Sequence, residues 1–266
     1  MNAKRVDRNV SEEQEQAAWE QWECIGSELR ELVIQMDSDT FYRVEPGSAL
    51  AADDERSHPF EISHIVGVSL VTSIDHLNAM EKLVRQASEM PICAPQALAR
   101  SSIESAAVGL WVLSPRKRLD RVERAFRWWF QNSENHKHAR DDYGERGHPR
   151  FRARLRELAG EQGLTEGSVS RGYSISRVLD DVRQRHENLD ELKFAWQLGS
   201  GFAHGRPWAM LGSLSSELVD EDDVVARFRM TNSFGLTVYL AGQSLLAIST
   251  LIALRNERAT NHVAAL

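Results

Sequence analysis

The side chains best suited to chemistry lie in one short stretch that begins at Trp196 and ends at Trp208. Ser200 and His204 are four residues apart in it, so they share one face if the stretch is helical. Histidine exchanges protons near neutral pH, and Arg206 can hold a phosphate or a carboxylate. Ser200, His204 and Arg206 are therefore candidate catalytic residues, and Trp208 is a candidate for ligand binding.

A second stretch, centred on Arg100, carries complementary charges. Arg100, Glu104 and Trp111 lie on one helical stripe beside an apolar stripe. Because Arg and Glu are rarely buried unless they are paired, we expect Arg100 and Glu104 to meet Ser200 and His204 in one buried network. Arg100 and Glu104 then join the catalytic centre, and Trp111 contacts the ligand. The open alternative is a structural ion pair beside a core histidine.

Basic and aromatic residues are interleaved between residues 116 and 136. Arg121 and Arg124 lie close to Trp128 and Trp129 there, a composition that can follow an RNA backbone and stack on its bases. We therefore assign Arg121 and Arg124 to ligand binding. A solvated helix face with its aromatic residues in the core explains the same pattern, and both interpretations stay open.

Other kinds of site have weaker sequence support. No His-Glu-x-x-His motif is present, and His136 and His138 are two residues apart, which does not put both on one helical face. Ser200 lacks the Gly-x-Ser-x-Gly elbow of hydrolases, and the chain has no glycine-rich phosphate loop or dinucleotide fingerprint. We expect no metal site and no cofactor.

The composition is that of a globular protein from a reducing compartment. Of its 266 residues 42% are hydrophobic and 27% are charged, and the formal net charge is -7. This charge excludes a general affinity for nucleic acid, so contact with RNA would need a locally basic surface. Its two cysteines lack metal or redox spacing, and the polar N-terminus lacks the apolar core of a signal peptide. We expect a cytoplasmic protein.

One uncharged segment, from Thr231 to Leu254, is long enough to span a bilayer. Asn232, Gln243 and several Ser and Thr residues interrupt it, so a buried helix of a bundle explains it better than a membrane span. We therefore expect no contact with a membrane.

The elements that position these side chains are mainly helical. Apolar residues recur at spacings of three and four along most of the chain, whereas residues 208–230 alternate as strands do. We predict an all-α fold, a bundle of six or seven helices with one small β-hairpin inserted before the last helix. The predicted segments are a disordered N-terminus at 1–10, a single helical domain at 11–258, a loop at 37–62, an irregular charged segment at 137–172, a β-hairpin at 208–230 and a frayed tail at 259–266.

These motifs, taken together, resemble those of a group of uncharacterised, mostly actinobacterial helical proteins. The shared features are the Arg-x-x-x-Glu helix at Arg100, which ends in an aromatic residue and Pro115, and the later Ser-x-x-x-His at Ser200. More loosely, residues 65–255 are similar to the HEPN superfamily of helical bundles, many of which act as RNases in toxin, defence and stress systems. The HEPN nuclease signature is an Arg followed by four to six residues and then His. No Arg lies at that distance before His204, whereas Arg255 and His262 fit the wide end of the spacing.

The resemblance implies an intracellular protein with RNA or a nucleotide as its ligand and a role in stress or defence. As an RNase it would use His204 as general acid or base, and Arg100 or Arg206 would steady the phosphate. We expect a homodimer. The alternative is a non-enzymatic, dimeric or partner-binding scaffold in which the Arg, Glu and His residues have a structural role only.

Overall fold

The computed structural model describes residues 5–6, 11–86, 90–139, 148–221 and 226–262. Eleven α-helices lie within these residues: α1 (Glu12–Met36), α2 (Ala49–Ser57), α3 (Ile62–Gln86), α4 (Ala94–Leu113), α5 (Arg118–Ala139), α6 (His148–Glu161), α7 (Glu166–Ser170), α8 (Ile175–Arg185), α9 (Leu192–Ala203), α10 (Pro207–Ser213) and α11 (Phe234–Ala259). A 3-10 helix, Glu187–Leu189, precedes α9. The strands β1 (Arg5–Val6), β2 (Ser215–Glu221) and β3 (Ala226–Thr231) form one sheet in the order β1-β2-β3.

The all-α class is confirmed, but the predicted count of six or seven helices is not. Short helices occupy segments that were expected to be irregular: α2 lies in the predicted loop 37–62, and α7 lies in the charged segment 137–172. Each has a local cause. The side chain of Ser48 accepts a hydrogen bond from the backbone N–H of Ala51 at the start of α2, and Thr165 caps α7 in the same way.

The hairpin predicted over 208–230 is wrong at its start. Pro207 occupies the first turn of α10, where a proline is well tolerated, and β2 begins only at Ser215. From there β2 and β3 pair antiparallel, with Ser215 opposite Thr231. Their connection, residues 222–225, lies outside the described residues, so a single closed hairpin stays a prediction.

The predicted disordered N-terminus and frayed tail fall largely outside the described residues. Residues 1–4, 7–10 and 263–266 are not described. Within the predicted N-terminal segment, Arg5 and Val6 instead pair antiparallel with β2. Residue 259 ends α11 as a helical residue.

The chain divides into two compact units, each built from three separate stretches. Unit 1 comprises Met1–Ser38, Thr72–Glu104 and Glu191–Ile248; unit 2 comprises Asp39–Val71, Ser105–Asp190 and Ser249–Leu266. Helices α3, α4 and α11 supply residues to both units. The single domain predicted over 11–258 therefore stays a prediction.

Within unit 1, a small apolar cluster fixes α9 against α10. Leu198 and Phe202 of α9, Ala209 of α10 and Leu214 are each at most 5% exposed and pack together. Burial of such side chains is worth about 1.5–3 kcal/mol each for the larger ones. The two helices therefore hold a fixed geometry at the turn that joins them.

Within unit 2, a buried ion pair joins α2 to α5. The Asp53 carboxylate is fully buried and accepts hydrogen bonds from Arg121 Nε at 2.6 Å and Nη2 at 2.8 Å. Arg121 Nη1 also donates to the carbonyl oxygens of Pro115 and Arg116. One guanidinium thus holds α2 in place and closes the turn between α4 and α5.

Helix α11 contains the uncharged segment from Phe234 onwards, whereas Thr231 ends β3. By length and composition alone this helix could cross a membrane, and it is the one helix in the described ranges of which this holds. Half of its most apolar 18-residue stretch is buried within the protein. In unit 1 its Thr237 and Ser244 are fully buried, and the Ser244 hydroxyl donates to the carbonyl oxygen of Leu240 at 2.9 Å. Core helices of soluble proteins have this character, so α11 does not argue for a membrane protein.

Candidate functional site

The predicted site in unit 1 depends on a close crossing of α4 and α9 at Gly199. A Cβ atom added to Gly199 would lie 2.7 Å from the Cβ of Arg100 and 2.8 Å from the carbonyl oxygen of Gln96. Gly201 makes a similar approach on α10, where an added Cβ would collide with Ala209 and meet the Trp208 ring at 3.0 Å. The two glycines therefore let α9 contact helices on both sides.

We expect Gly199→Ala to lower the free energy of unfolding by about 1–3 kcal/mol, because the added methyl group overpacks a backbone contact. Gly212→Ala is the matched control, since no atom lies within 4 Å of a Cβ at Gly212 of α10. It should be neutral or stabilise by about 0.4–1 kcal/mol through the unfolded chain. Urea unfolding of both variants measures the difference. Equal stability of the two would show that α4 and α9 have room to separate at no cost.

Helix α9 ends in a glycine turn that presents the next side chains to solvent. Gly205 has a φ of +60°, a conformation that glycine adopts without strain. The N–H of Arg206 bonds to the Gly201 carbonyl at 2.7 Å, and the N–H of Gly205 bonds to the Phe202 carbonyl at 3.1 Å. This is the double hydrogen bond of a Schellman motif. As a result, His204 and Arg206 lie on the turn, directly before α10.

The structure joins Arg100, Glu104, Trp196 and Ser200 in one network. Arg100 Nη2 lies 2.8 Å from Glu104 Oε2, and Arg100 Nε donates to Ser200 Oγ at 3.3 Å. The indole N–H of Trp196 donates to the same Glu104 oxygen at 3.0 Å, and the Arg100 guanidinium stands 5.9 Å from the centre of the Trp196 ring. The Arg100 and Glu104 side chains remain about 30% exposed, so the network is partly open and not buried as predicted.

The second part of the site is an open groove between α9 and α10. Its lining side chains include His204, Arg206, Ser200 and the aromatic residues Trp196 and Trp208. His204 and Arg206 are exposed, and no described residue makes a hydrogen bond or ion pair with either side chain. The expectation of a buried His204 is therefore wrong, because the Gly205 turn puts this residue at the helix end, and the core-histidine alternative is wrong for the same reason.

The two parts meet at Ser200. Arg100 and Glu104 do not line the groove, but Arg100 reaches it through its hydrogen bond to Ser200. No described lining residue is acidic, and Gln197 adds an amide that the sequence did not single out. The groove thus offers a proton-exchanging imidazole, a guanidinium and two indole rings, which suits an anionic ligand that has flat bases. Among the described residues no group of three or more His, Cys, Asp or Glu side chains is placed to hold a metal ion.

The predicted ligand residues Arg121 and Arg124 have structural partners in unit 2. Arg121 is 3% exposed and fully engaged by Asp53 and two carbonyl groups, so a ligand cannot reach it without breaking the buried pair. Arg124 binds both oxygens of Asp181, at 2.7 and 3.0 Å, and the carbonyl of Trp111. Burial acts to raise the pKa of Asp181, but the hydrogen bonds from Arg124 and Arg185 outweigh it and hold the pKa below its ordinary value. These contacts correct both assignments.

Trp111 is 5% exposed and lies beneath arginines. Arg124 and Arg127 stand 5.2 and 5.3 Å from the centre of its ring, and the Tyr173 ring lies 5.4 Å away. Trp111 therefore supports guanidinium groups in preference to stacking on a base, which corrects its predicted role. Arg127, the third arginine of the series on α5, was not assigned to ligand binding from the sequence, although its side chain also contacts Trp111.

The Arg255 and His262 spacing does not form a nuclease centre. The guanidinium of Arg255 is buried and donates to the Arg43 carbonyl at 2.7 Å, whereas His262 Nε2 lies 3.0 Å from the Glu257 carbonyl oxygen. The two side chains have separate partners, so their spacing is a chance match.

Comparison with known proteins supplies no relative for this site. No family model matches the chain, and neither the curated proteins nor the solved structures contain a match.

Proposed function

We propose that this chain is a cytoplasmic, HEPN-like helical protein that binds RNA or a nucleotide in the groove between α9 and α10 and cleaves RNA there without a metal. The observation that carries the proposal is the exposure of His204, Arg206 and Trp208 in one open groove. A role in stress or defence is part of the proposal by resemblance only.

The groove supplies the groups that cleavage of a phosphodiester requires. His204 takes a proton from the attacking 2′-hydroxyl or gives one to the leaving oxygen, and Arg206 stabilises the charge that develops on the phosphate. Ser200 Oγ accepts a hydrogen bond from Arg100, so its own proton remains available for the ligand. Arg100 and Glu104 do not contact the ligand in this proposal. They position Ser200 and Trp196 through hydrogen bonds.

A binding experiment tests the first half of the proposal. Trp208 is 55% exposed, and stacking on an aromatic ring is worth about 1–3 kcal/mol per base. We therefore expect Trp208→Ala to weaken binding of a short single-stranded RNA by about 5- to 150-fold in fluorescence anisotropy. Leu211→Ala is the control, because Leu211 lies one turn further along α10 and is 62% exposed but has no ring. Equal affinities for wild type and the Trp208 variant would remove RNA stacking from the groove.

The second candidate is a homodimeric or partner-binding scaffold. The observation that favours it is the exposure of Trp208 and Leu211 on one side of α10, since adjacent exposed apolar residues often mark an interface. Under this candidate the wild type binds no RNA, and Trp208→Ala and Leu211→Ala weaken self-association alike. Sedimentation equilibrium gives the answer, because a dimer has twice the chain mass of 30.1 kDa.

A further inference from the structure

A separate cavity in unit 2 is lined by three arginines. Arg127 of α5, Arg171 at the end of α7 and Arg177 of α8 line it together with Trp111 and Tyr173. None of the described residues that line it is acidic. Its volume of about 160 Å³ is below the roughly 300–1,000 Å³ of pockets that enclose drug-sized ligands. The cavity therefore suits a small anion or the anionic end of a larger molecule.

The arginines of this cavity have fewer acidic partners than positive charges. Arg171 Nη2 lies 2.8 Å from Glu123 Oε1, and Arg127 Nη1 lies 4.0 Å from the same oxygen. Arg177 is exposed and forms no ion pair with the part of the chain that the structure describes. Among the described residues, Glu123 is thus the one carboxylate that pairs with any of these three arginines, and it pairs with two of them. Three guanidinium groups and one carboxylate leave two positive charges, which a dianion would balance.

Arg127 is held in place before any ligand arrives. Its Nε donates to the Gly172 carbonyl at 2.8 Å, and its guanidinium lies over the Trp111 ring, 5.3 Å from the ring centre. Burial, and after it the charges of Arg171, Arg124 and Arg177, lowers the pKa of Arg127 below its ordinary value. The guanidinium is therefore fixed in a region of positive potential, and little side-chain entropy is lost when it binds an anion.

The first turn of α8 adds to the positive potential of the cavity. Ser174 caps this helix of 11 residues, and both Ser174 and Arg177 line the cavity. The N-terminus of a helix carries a partial positive charge and N–H groups without helical partners. This end of α8 therefore adds to the attraction that the arginines exert on an anion.

We propose that this cavity binds a phosphate group, free or at the end of a nucleotide, through Arg127, Arg171 and Arg177. A planar guanidinium can give two parallel hydrogen bonds to phosphate, and three of them around one small cavity match its tetrahedral oxygens. The site lies in unit 2 and shares no lining residue with the groove of unit 1, so the proposal does not rest on the function proposed for that groove.

Calorimetric titration of the full chain with sodium phosphate and with adenosine monophosphate tests the proposal, with sodium chloride at matched ionic strength as the reference. We expect both phosphates to bind and a hundredfold excess over Kd to raise Tm by about 5–10 °C. Arg177→Gln should raise Kd at least about tenfold, because it removes a charge-assisted hydrogen bond. Arg183→Gln is the matched control: Arg183 is on the same helix, pairs with Asp180 and does not line the cavity.

The two ligands also identify the source of the phosphate. Equal affinities would indicate recognition of the phosphate alone, and tighter binding of adenosine monophosphate would indicate a nucleotide end; either supports the proposal. Heats and Tm values no different from those in chloride would overturn it. So would a Kd that neither Arg177→Gln nor Arg127→Lys changes. Loss of phosphate binding in Arg206→Gln would move the ligand to the groove of unit 1 and also overturn it, whereas failure here leaves the RNA experiment on Trp208 unaffected.

Discussion

Replacing Asp53 by alanine is expected to lower the free energy of unfolding by about 3–5 kcal/mol, the largest stability effect of any single change proposed for this chain. The carboxylate is fully buried and binds both Nε and Nη2 of Arg121, whose side chain is only 4% exposed. Without Asp53 the Arg121 guanidinium would remain buried with no counter-ion, because Arg118, the other partner of Asp53, is also a cation. Urea unfolding followed by circular dichroism measures this loss.

Two further variants separate the cost of an unpaired charge from a general weakness of α2. Arg118→Ala should cost about 0–1 kcal/mol, since Arg118 is 46% exposed and its ion pair is largely solvated. The double variant Asp53→Leu/Arg121→Met should recover much of the stability lost in Asp53→Ala, because apolar residues of similar size can replace a buried pair. A loss below about 1 kcal/mol for Asp53→Ala would mean that water reaches Arg121 and that the pair is not a buried one.

The largest catalytic effect is expected for His204→Ala. We expect the wild type to cleave single-stranded RNA in the presence of EDTA and the variant to be slower by about 10²–10⁴-fold, which is the usual value of general acid–base catalysis. The melting temperature should change little, because His204 is exposed and its side chain makes no hydrogen bond with a described residue. A loss of rate without a loss of stability would identify His204 as the proton-transferring group.

His58→Ala, purified by the same procedure, is the control for a contaminating nuclease. His58 belongs to unit 2, where its ring is 73% exposed and pairs with Glu61, so the substitution leaves the groove untouched. Equal cleavage by wild type and His204→Ala would place the activity elsewhere. Absence of cleavage by the wild type, together with self-association that depends on Leu211, would favour the scaffold.

Much of the helical organisation could be predicted from apolar spacing, and so could the pairing of the Arg100 stretch with the Ser200 stretch. The short helices α2 and α7 could not be predicted in this way, because they are too short to show an apolar periodicity. Their starts depend instead on the capping side chains of Ser48 and Thr165. Composition also does not show which acid faces which arginine. Asp53 precedes Arg121 by 68 residues, and only the folded chain brings the two together.

The three arginines of α5 differ in ways that their spacing does not show. Arg121, Arg124 and Arg127 follow one another at a spacing of three and look equivalent in the sequence. In the fold Arg121 pairs with Asp53, and Arg124 pairs with Asp181. Arg127 donates to the Gly172 carbonyl and is 4.0 Å from Glu123, an acid that it shares with Arg171. Ser174 can be recognised in the sequence as the start of a helix, because serine is a favoured N-cap residue. Nothing in the sequence shows that Arg127 donates to the carbonyl of the nearby Gly172.

The crossing at Gly199 also limits how far α9 can slide along α4. A shift of one helical turn, about 5.4 Å, would bring Ala195 or Ala203 to the position of Gly199. Either methyl group would then collide with the backbone of α4, as the distance of 2.8 Å from a Cβ at Gly199 to the Gln96 oxygen shows. A shift of one turn in either direction is consequently excluded. The exposed side chains of the site can therefore be substituted without moving α9, provided that position 199 remains a glycine.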